Sequence, residues 1–273
     1  VDFEALGRLI EFQIENGTDA IIICGTTGEA STQTIPEHLE TIDYCVRKVA
    51  GRVKVIAGTG SNDTAHAVLM SNSAEKSGAD ALLMVTPYYN KTTQRGLINH
   101  FEYIADRVNI PIILYNVPSR TGMSFTAESY AALSKHPNIN GVKEASGNFT
   151  LILKTRAICG DDFYIWSGND DQIVPIMSLG GLGVISVAAN IIPEEIALMT
   201  HHCLEGNFKE AEMLQIRYAD LIEKLFIETN PIPIKEAMNL MGMGAGELRM
   251  PLIRMSEENR AKLIASMKNV GLL

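Results

Sequence analysis

A chain of 273 residues with 46% hydrophobic side chains has enough apolar material for one large domain, or for one domain with an extension. A formal net charge of −9 and a pI near 5.2 argue against nucleic acid and anionic membrane as partners, since neither attracts an acidic protein. No run of about twenty apolar residues occurs, so no segment is expected to span a membrane. The opening Val1-Asp2-Phe3-Glu4 does not have the pattern of a signal peptide.

The chain opens on a helix: Phe3, Leu6, Ile10 and Ile14 fall on one face, and Gly17 stops it. The run 20–24 reads as the first strand, followed by Gly25-Thr26-Thr27-Gly28-Glu29. Pro36 can open a helix that turns Leu39, Ile42, Val46 and Val49 inward and ends at Gly51. A second strand covers 53–57, and Asp63 can cap the helix that ends near Gly78. Further strands cover 81–86, 110–115, 139–143, 163–167 and 183–187. Pro193 can open a helix ending near Gly206. Beyond it the strands cease, and 208–228, 234–240 and 256–268 read as helices.

The strand runs are near-continuously apolar, the mark of parallel strands buried on both faces. Repeated strand–helix units of this length form either an open doubly wound sheet or a closed barrel. An open sheet gathers its polar residues at one switch point. Here they follow nearly every strand, which points to the TIM (β/α)8 barrel, an α/β fold. Seven strands are visible rather than eight. The expectation is therefore a barrel lacking its first strand in this sequence, with a barrel domain over 1–206 and a C-terminal α-helical domain over 207–273.

Candidate chemistry sits in the loops after the strands. Lys143 ends the fifth run, where burial disfavours a charged amine and favours carbonyl chemistry; the plainer reading is a packed stem with its head in water. Gly25-Thr26-Thr27-Gly28-Glu29 could bring hydroxyls and N–H groups to a carboxylate, or be an ordinary tight turn. In Thr86-Pro87-Tyr88-Tyr89-Asn90 the paired tyrosines read as interface or packing residues. Tyr115-Asn116-Val117-Pro118-Ser119-Arg120-Thr121-Gly122 puts a phenol at a strand end and a guanidinium five residues on, suited to a carboxylate. In Gly168-Asn169-Asp170-Asp171 the adjacent acids read as a cap and charge for a helix N-terminus rather than as metal ligands. Gly180-Gly181-Leu182-Gly183 precedes its strand, on the face opposite the site, and is not read as a phosphate loop. Cys24, Cys45, Cys159 and Cys203 form no Cys-x-x-Cys pair and read as reduced thiols of a cytoplasmic protein, and no histidine pair has metal spacing.

These motifs occur in order along the chain. With Val142-Lys143-Glu144-Ala145-Ser146-Gly147-Asn148, Gly183-Val184-Ile185-Ser186-Val187 and Asn230-Pro231-Ile232-Pro233 they resemble the dihydrodipicolinate synthase family of pyruvate-dependent class I aldolases. The resemblance runs through essentially the whole chain. It implies that pyruvate condenses with L-aspartate-4-semialdehyde, with Lys143 as Schiff-base lysine and Tyr115 as proton shuttle. It also implies a relay of Thr27 and Tyr89 to Tyr115, with Tyr89 lent by a neighbouring subunit. By the same likeness Thr26 and Thr27 would hold the pyruvate carboxylate, Arg120 that of the semialdehyde, and Gly168 and Ile185 would line the pocket through their carbonyls. No metal or cofactor is implied, and the assembly would be a homotetramer of two tight dimers. His38, Asn62 and Tyr88 match a lysine-feedback site. His66 stands there in place of an acid, and Ala30 where lysine-sensitive relatives often carry serine, so weak or absent lysine inhibition is expected. The alternative within the superfamily is an N-acetylneuraminate or 2-keto-3-deoxy sugar acid lyase, from which Arg120 separates this chain.

Overall fold

A computed structural model describes residues 1–273. Helix α1 (Phe3–Glu15) starts at Asp2, whose carboxylate accepts the Ala5 N–H. Strands and helices then alternate: β1 (Ala20–Ile23), α2 (Ile35–Val49), β2 (Lys54–Gly58), α3 (Thr64–Ser77), β3 (Ala81–Val85), α4 (Gln94–Ala105) and β4 (Ile112–Asn116). The short α5 (Pro118–Thr121) and α6 (Ala127–Leu133) precede β5 (Ile139–Glu144), α7 (Phe149–Cys159), β6 (Tyr164–Ser167), α8 (Ile173–Ser178), β7 (Gly183–Val184) and α9 (Pro193–Leu204). Thr34, Asp63, Thr93 and Asn148 cap α2, α3, α4 and α7 by accepting first-turn N–H groups.

The seven strands form one parallel sheet in sequential order. The sheet curls. Gln13 of α1 donates from Nε2 to the Ala189 carbonyl beyond β7 at 2.7 Å, and Asp19, just ahead of β1, meets His201 of α9 at 3.1 Å. The architecture is that of a TIM-like barrel of seven strands, with β1 and β7 sharing no ladder.

The two-residue period of each strand sorts its side chains between two layers. Val55, Ala57, Leu82, Met84, Ile112, Leu114, Val142 and Ile165 join the large core under the helices. Fully burying each of the larger aliphatic side chains contributes roughly 1.5–3 kcal/mol. The alternate positions Leu83, Ile113 and Tyr115 form a small inner cluster with Ile22, Ile56, Val85, Trp166 and Ile185. Gly141 makes room for this cluster: a Cβ there would lie 2.2 Å from the Tyr164 carbonyl oxygen and 2.9 Å from the Trp166 ring.

The C-terminal helices α10 (Phe208–Lys224), α11 (Ile232–Leu240) and α12 (Glu257–Asn269) build a second core. In it Leu221, Ile222, Ile234 and Leu263 pack with Ile173, Met177, Ile196 and Met199 of α8 and α9.

Three local expectations need correction. The last strand ends at Val184, not 187, because the Val187 and Ala188 N–H groups bind the Asp170 carboxylate at 3.0 and 2.9 Å instead of continuing a ladder. Asp170 therefore does not cap the turn it begins, which has no side-chain cap; it closes the loop after β7 from the end of the neighbouring β6. Burial raises the Asp170 pKa, against hydrogen bonds from Ser186, Ala188 and Val187 and the charge of Lys143. Finally, α10 stops at Lys224 rather than at 228, since Glu228 turns away to accept the Ser256 N–H and Oγ–H ahead of α12 at 3.0 and 2.7 Å.

Candidate active site

The ladder between β4 and β5 sets Tyr115 directly opposite Lys143. Both face the inner layer. Lys143 Nζ lies 4.4 Å from the Tyr115 ring centroid, within cation–π range. Tyr115 is buried, whereas Lys143 is half-buried rather than enclosed. Both line a cavity of 1130 Å³ that Thr26, Thr27, Arg120, Gly168 and Ile185 also line. Tyr89 does not join them. It stands in a left-handed conformation (φ +69°) with 93% of its surface exposed.

The loop after β1 is built from two successive turns, Gly28 N–H to the Gly25 carbonyl at 3.1 Å and Glu29 N–H to the Thr26 carbonyl at 3.0 Å. It needs glycine at Gly58 beneath it, where a Cβ would lie 2.1 Å from the Cys24 carbonyl oxygen. Its far end is anchored by Glu29, a buried carboxylate that accepts Lys235 Nζ at 2.7 Å and the Arg249 N–H at 2.8 Å. Thr27 Oγ1 accepts from Asn230 Nδ2 at 2.9 Å, and Arg120 Nη2 donates to the Asn230 carbonyl at 3.0 Å. Arg120 rides on the short α5, which Thr121 braces by donating to the Met123 carbonyl at 3.0 Å. Asn230, Lys235 and Arg249 carry no expectation from sequence. No local spacing relates residues 27 and 29 to a segment two hundred positions on; the Asn230-Pro231-Ile232-Pro233 motif was the only signal available.

Gly168 is required by close approach, since a Cβ would lie 2.6 Å from that of Ala145. Its N–H donates to the Glu144 carbonyl at 2.8 Å, and that of Ile185 to the Ser167 carbonyl at 2.8 Å, which fixes both residues at the strand ends.

Behind Lys143, on the helix side of the sheet, Glu144 is 2% exposed. It accepts Tyr130 Oη–H at 2.9 Å, Asn116 Nδ2–H at 3.1 Å and the Ser146 N–H at 2.9 Å. Burial raises its pKa, and the bonds from Ser146, Asn116 and Tyr130 work against that rise. Burial, followed by the charge of Glu144, pushes the Tyr130 phenol well up.

The same cavity reaches His38, His66 and Tyr88. His38 Nε2 lies 2.9 Å from the Gly58 carbonyl. Burial lowers the His38 pKa, the Gly58 bond opposes the fall, and the nearby His66 adds to it. The Asn62 carbonyl accepts Asn90 Nδ2–H at 3.0 Å. The four cysteines are unpaired, and burial pushes Cys45 up to about 12. No group of three or more His, Cys, Asp or Glu side chains is arranged to hold a metal ion, and no helix is long and apolar enough to cross a membrane.

A curled parallel sheet ringed by helices, with a cavity lined by residues from the loops after its strands, defines a barrel enzyme of the TIM class. Within that class the chain belongs to the dihydrodipicolinate synthetase family, whose model matches residues 1–270. It is 59% identical over 274 aligned residues to a 4-hydroxy-tetrahydrodipicolinate synthase of Thermoanaerobacter sp. (strain X514), covering 100% of this chain and 92% of the relative. The solved dihydrodipicolinate synthase of Aquifex aeolicus superposes with a TM-score of 0.98 at 47% identity, over 100% of this chain and 93% of that one. A structure of the Acinetobacter baumannii dihydrodipicolinate synthase complexed with pyruvate superposes equally well, at 0.98 and 39% identity, over 100% and 94%.

Proposed function

We propose that Lys143 is the nucleophile through which this chain catalyses the 4-hydroxy-tetrahydrodipicolinate synthase reaction. That reaction condenses pyruvate with L-aspartate-4-semialdehyde on the route to diaminopimelate and lysine. The observation that carries the reading is the register of Tyr115 against Lys143, with Nζ 4.4 Å from the phenol ring at the wall of the cavity.

In this reading the neutral Lys143 amine attacks the pyruvate ketone and water leaves, giving an iminium that acts as an electron sink. A methyl proton departs to form the enamine, whose carbon attacks the aldehyde. The substrate's own amine then adds to the imine carbon, closes the ring and frees Lys143. Tyr115 gives and takes protons across these steps, relayed through Thr27 and Tyr89. Thr26 and Thr27 hold the pyruvate carboxylate, and Arg120 holds that of the semialdehyde in the fork geometry suited to it. Gly168 and Ile185 present backbone carbonyls to the pocket. The chemistry needs no metal or organic cofactor.

The exposure of Tyr89 supports its service to a neighbouring subunit, in a homotetramer built as a dimer of dimers. Residues 1–206 act as the barrel domain and 207–273 as a helical domain, in a cytoplasmic enzyme. His38, Asn62 and Tyr88 mark the remnant of a lysine-feedback site. With His66 in place of an acid, L-lysine is expected to inhibit weakly or not at all, and a sub-millimolar inhibition constant in a steady-state assay would overturn that.

Borohydride reduction in the presence of pyruvate, followed by peptide mass mapping, tests the central claim. The expected result is a reduced pyruvate adduct on Lys143; wild-type protein without one would overturn the reading. Arg120 and the names of the relatives favour the synthase over a sugar-acid lyase, and assays with each aldehyde separate the two.

A further inference from the structure

Thr27 and Arg120 sit on loops after β1 and β4, yet one residue of the C-terminal segment holds both. Asn230 is 6% exposed and lines the cavity. Its side-chain Nδ2 donates to Thr27 Oγ1 at 2.9 Å across 203 positions of sequence, and its main-chain carbonyl accepts from Arg120 at 3.0 Å across 110. Its Oδ1 is buried without a partner. With the amide turned over, its nitrogen would stand buried in that place with no acceptor for either hydrogen, so an unpaired donor pair would replace one unpaired acceptor, which costs more.

A hydroxyl carries one hydrogen and two acceptor sites. With one acceptor site taken by the Asn230 amide, the hydrogen of Thr27 is turned away from Asn230 and is free to be donated into the cavity. The position of the loop is secured separately, through Glu29 on Lys235 and on the Arg249 N–H. The Asn230 amide therefore governs the direction of one hydroxyl rather than the path of the backbone.

We propose that Asn230 is a positioning residue of the reaction: its amide orients the Thr27 hydroxyl as a hydrogen donor toward the cavity, and its carbonyl steadies Arg120, so that the C-terminal segment sets the polarity of the relay. This rests on the assignment of Lys143 and Thr27 made above.

A double-mutant cycle in the full chain tests it, with Asn230→Ala, Thr27→Val and the pair. Two readouts are needed, the borohydride-trapped pyruvate adduct and kcat for condensation. Asn230→Ala is expected to form the adduct on Lys143 to the wild-type extent while kcat falls about tenfold to a hundredfold, less than the full effect of a proton-transfer partner because Asn230 acts through Thr27. In the Thr27→Val background the same substitution is expected to change kcat by less than about twofold, because the hydroxyl it orients is gone. Asn230→Asp, which keeps the shape but accepts where the amide donates, is expected to lower kcat at least as far, and it supplies the same cycle if the alanine variant does not fold. An equal penalty in both backgrounds, or a wild-type kcat in Asn230→Ala or Asn230→Asp, overturns the proposal while the aldolase reading stands. Wild-type protein that traps no pyruvate overturns the aldolase reading instead.

Discussion

Lys143 and Glu144 are consecutive in β5 and live in opposite surroundings. Lys143 faces the cavity, half-buried, with its Nζ over a phenol ring. Glu144 faces the helices, 2% exposed, with its oxygens bonded to Tyr130, Asn116 and Ser146. The ladder repeats the contrast on β4, where Tyr115 pairs with Lys143 and Asn116 with Glu144. One strand thus carries a cavity-lining amine on its inner side and a hydrogen-bonded carboxylate on its outer side, separated by the two-residue period alone. The difference teaches that a charged residue at a strand end is defined by the face it occupies. The inner one opens on the cavity; the outer one fastens the ends of two strands, and with them the inner pair.

The sharpest way to break this contrast is Lys143→Ala. It should abolish the borohydride-trapped adduct and lower kcat/KM by more than about a thousandfold, while the melting temperature moves little. Survival of turnover would remove the chemical role from the inner face. Glu144→Ala should do the reverse. It strands three buried donors and is expected to cost about 2–4 kcal/mol in denaturant unfolding. A loss below about 0.5 kcal/mol would mean that the outer network fastens nothing.

Tyr130→Phe removes a single donor from Glu144 and should cost less, about 0.5–1.5 kcal/mol, with the pyruvate adduct on Lys143 unaffected. The smallest effect is a dependence on pH. Burial raises the Glu144 pKa in the native state, so the folded protein binds this proton more tightly than the unfolded chain does. Its contribution to stability is therefore fully present below the unfolded glutamate value of about 4.3 and is lost as pH rises through the raised native value. Measured against Glu144→Gln, which cannot titrate, wild type should gain stability as pH is lowered toward that window. A difference that does not vary with pH would show that Glu144 titrates alike in the folded and unfolded chains, and that burial does not raise its pKa.

Much of the fold was legible because hydrophobic patterning is local. Near-continuous apolar runs marked the parallel strands, and capping residues such as Asp63 marked helix starts. The placement of Lys143 and Tyr115 at strand ends, and of Thr27 and Arg120 in the loops that follow, came from those runs, since parallel strands present their carboxyl ends on one side. Less could be read where a residue serves a distant partner. Asp170 looked like a helix cap beside Asp171, but its Oδ2 is claimed by N–H groups 17 and 18 positions on, which also shortened β7. Glu144 differs from Lys143 only by parity, a signal present in the strand but silent about Tyr130 on α6.

The order of strands and helices, the two faces of each strand and the residue types offered at their ends were written in local sequence, because each depends on neighbours within a few positions. The tertiary structure alone decided which of those ends meet. Asn230 reaches Thr27 and Arg120, and Lys235 reaches Glu29, only because the C-terminal helices pack back over the loops after β1 and β4. A hydrogen bond of about 3 Å between residues two hundred positions apart depends on the whole path of the chain between them, and no local pattern carries that path.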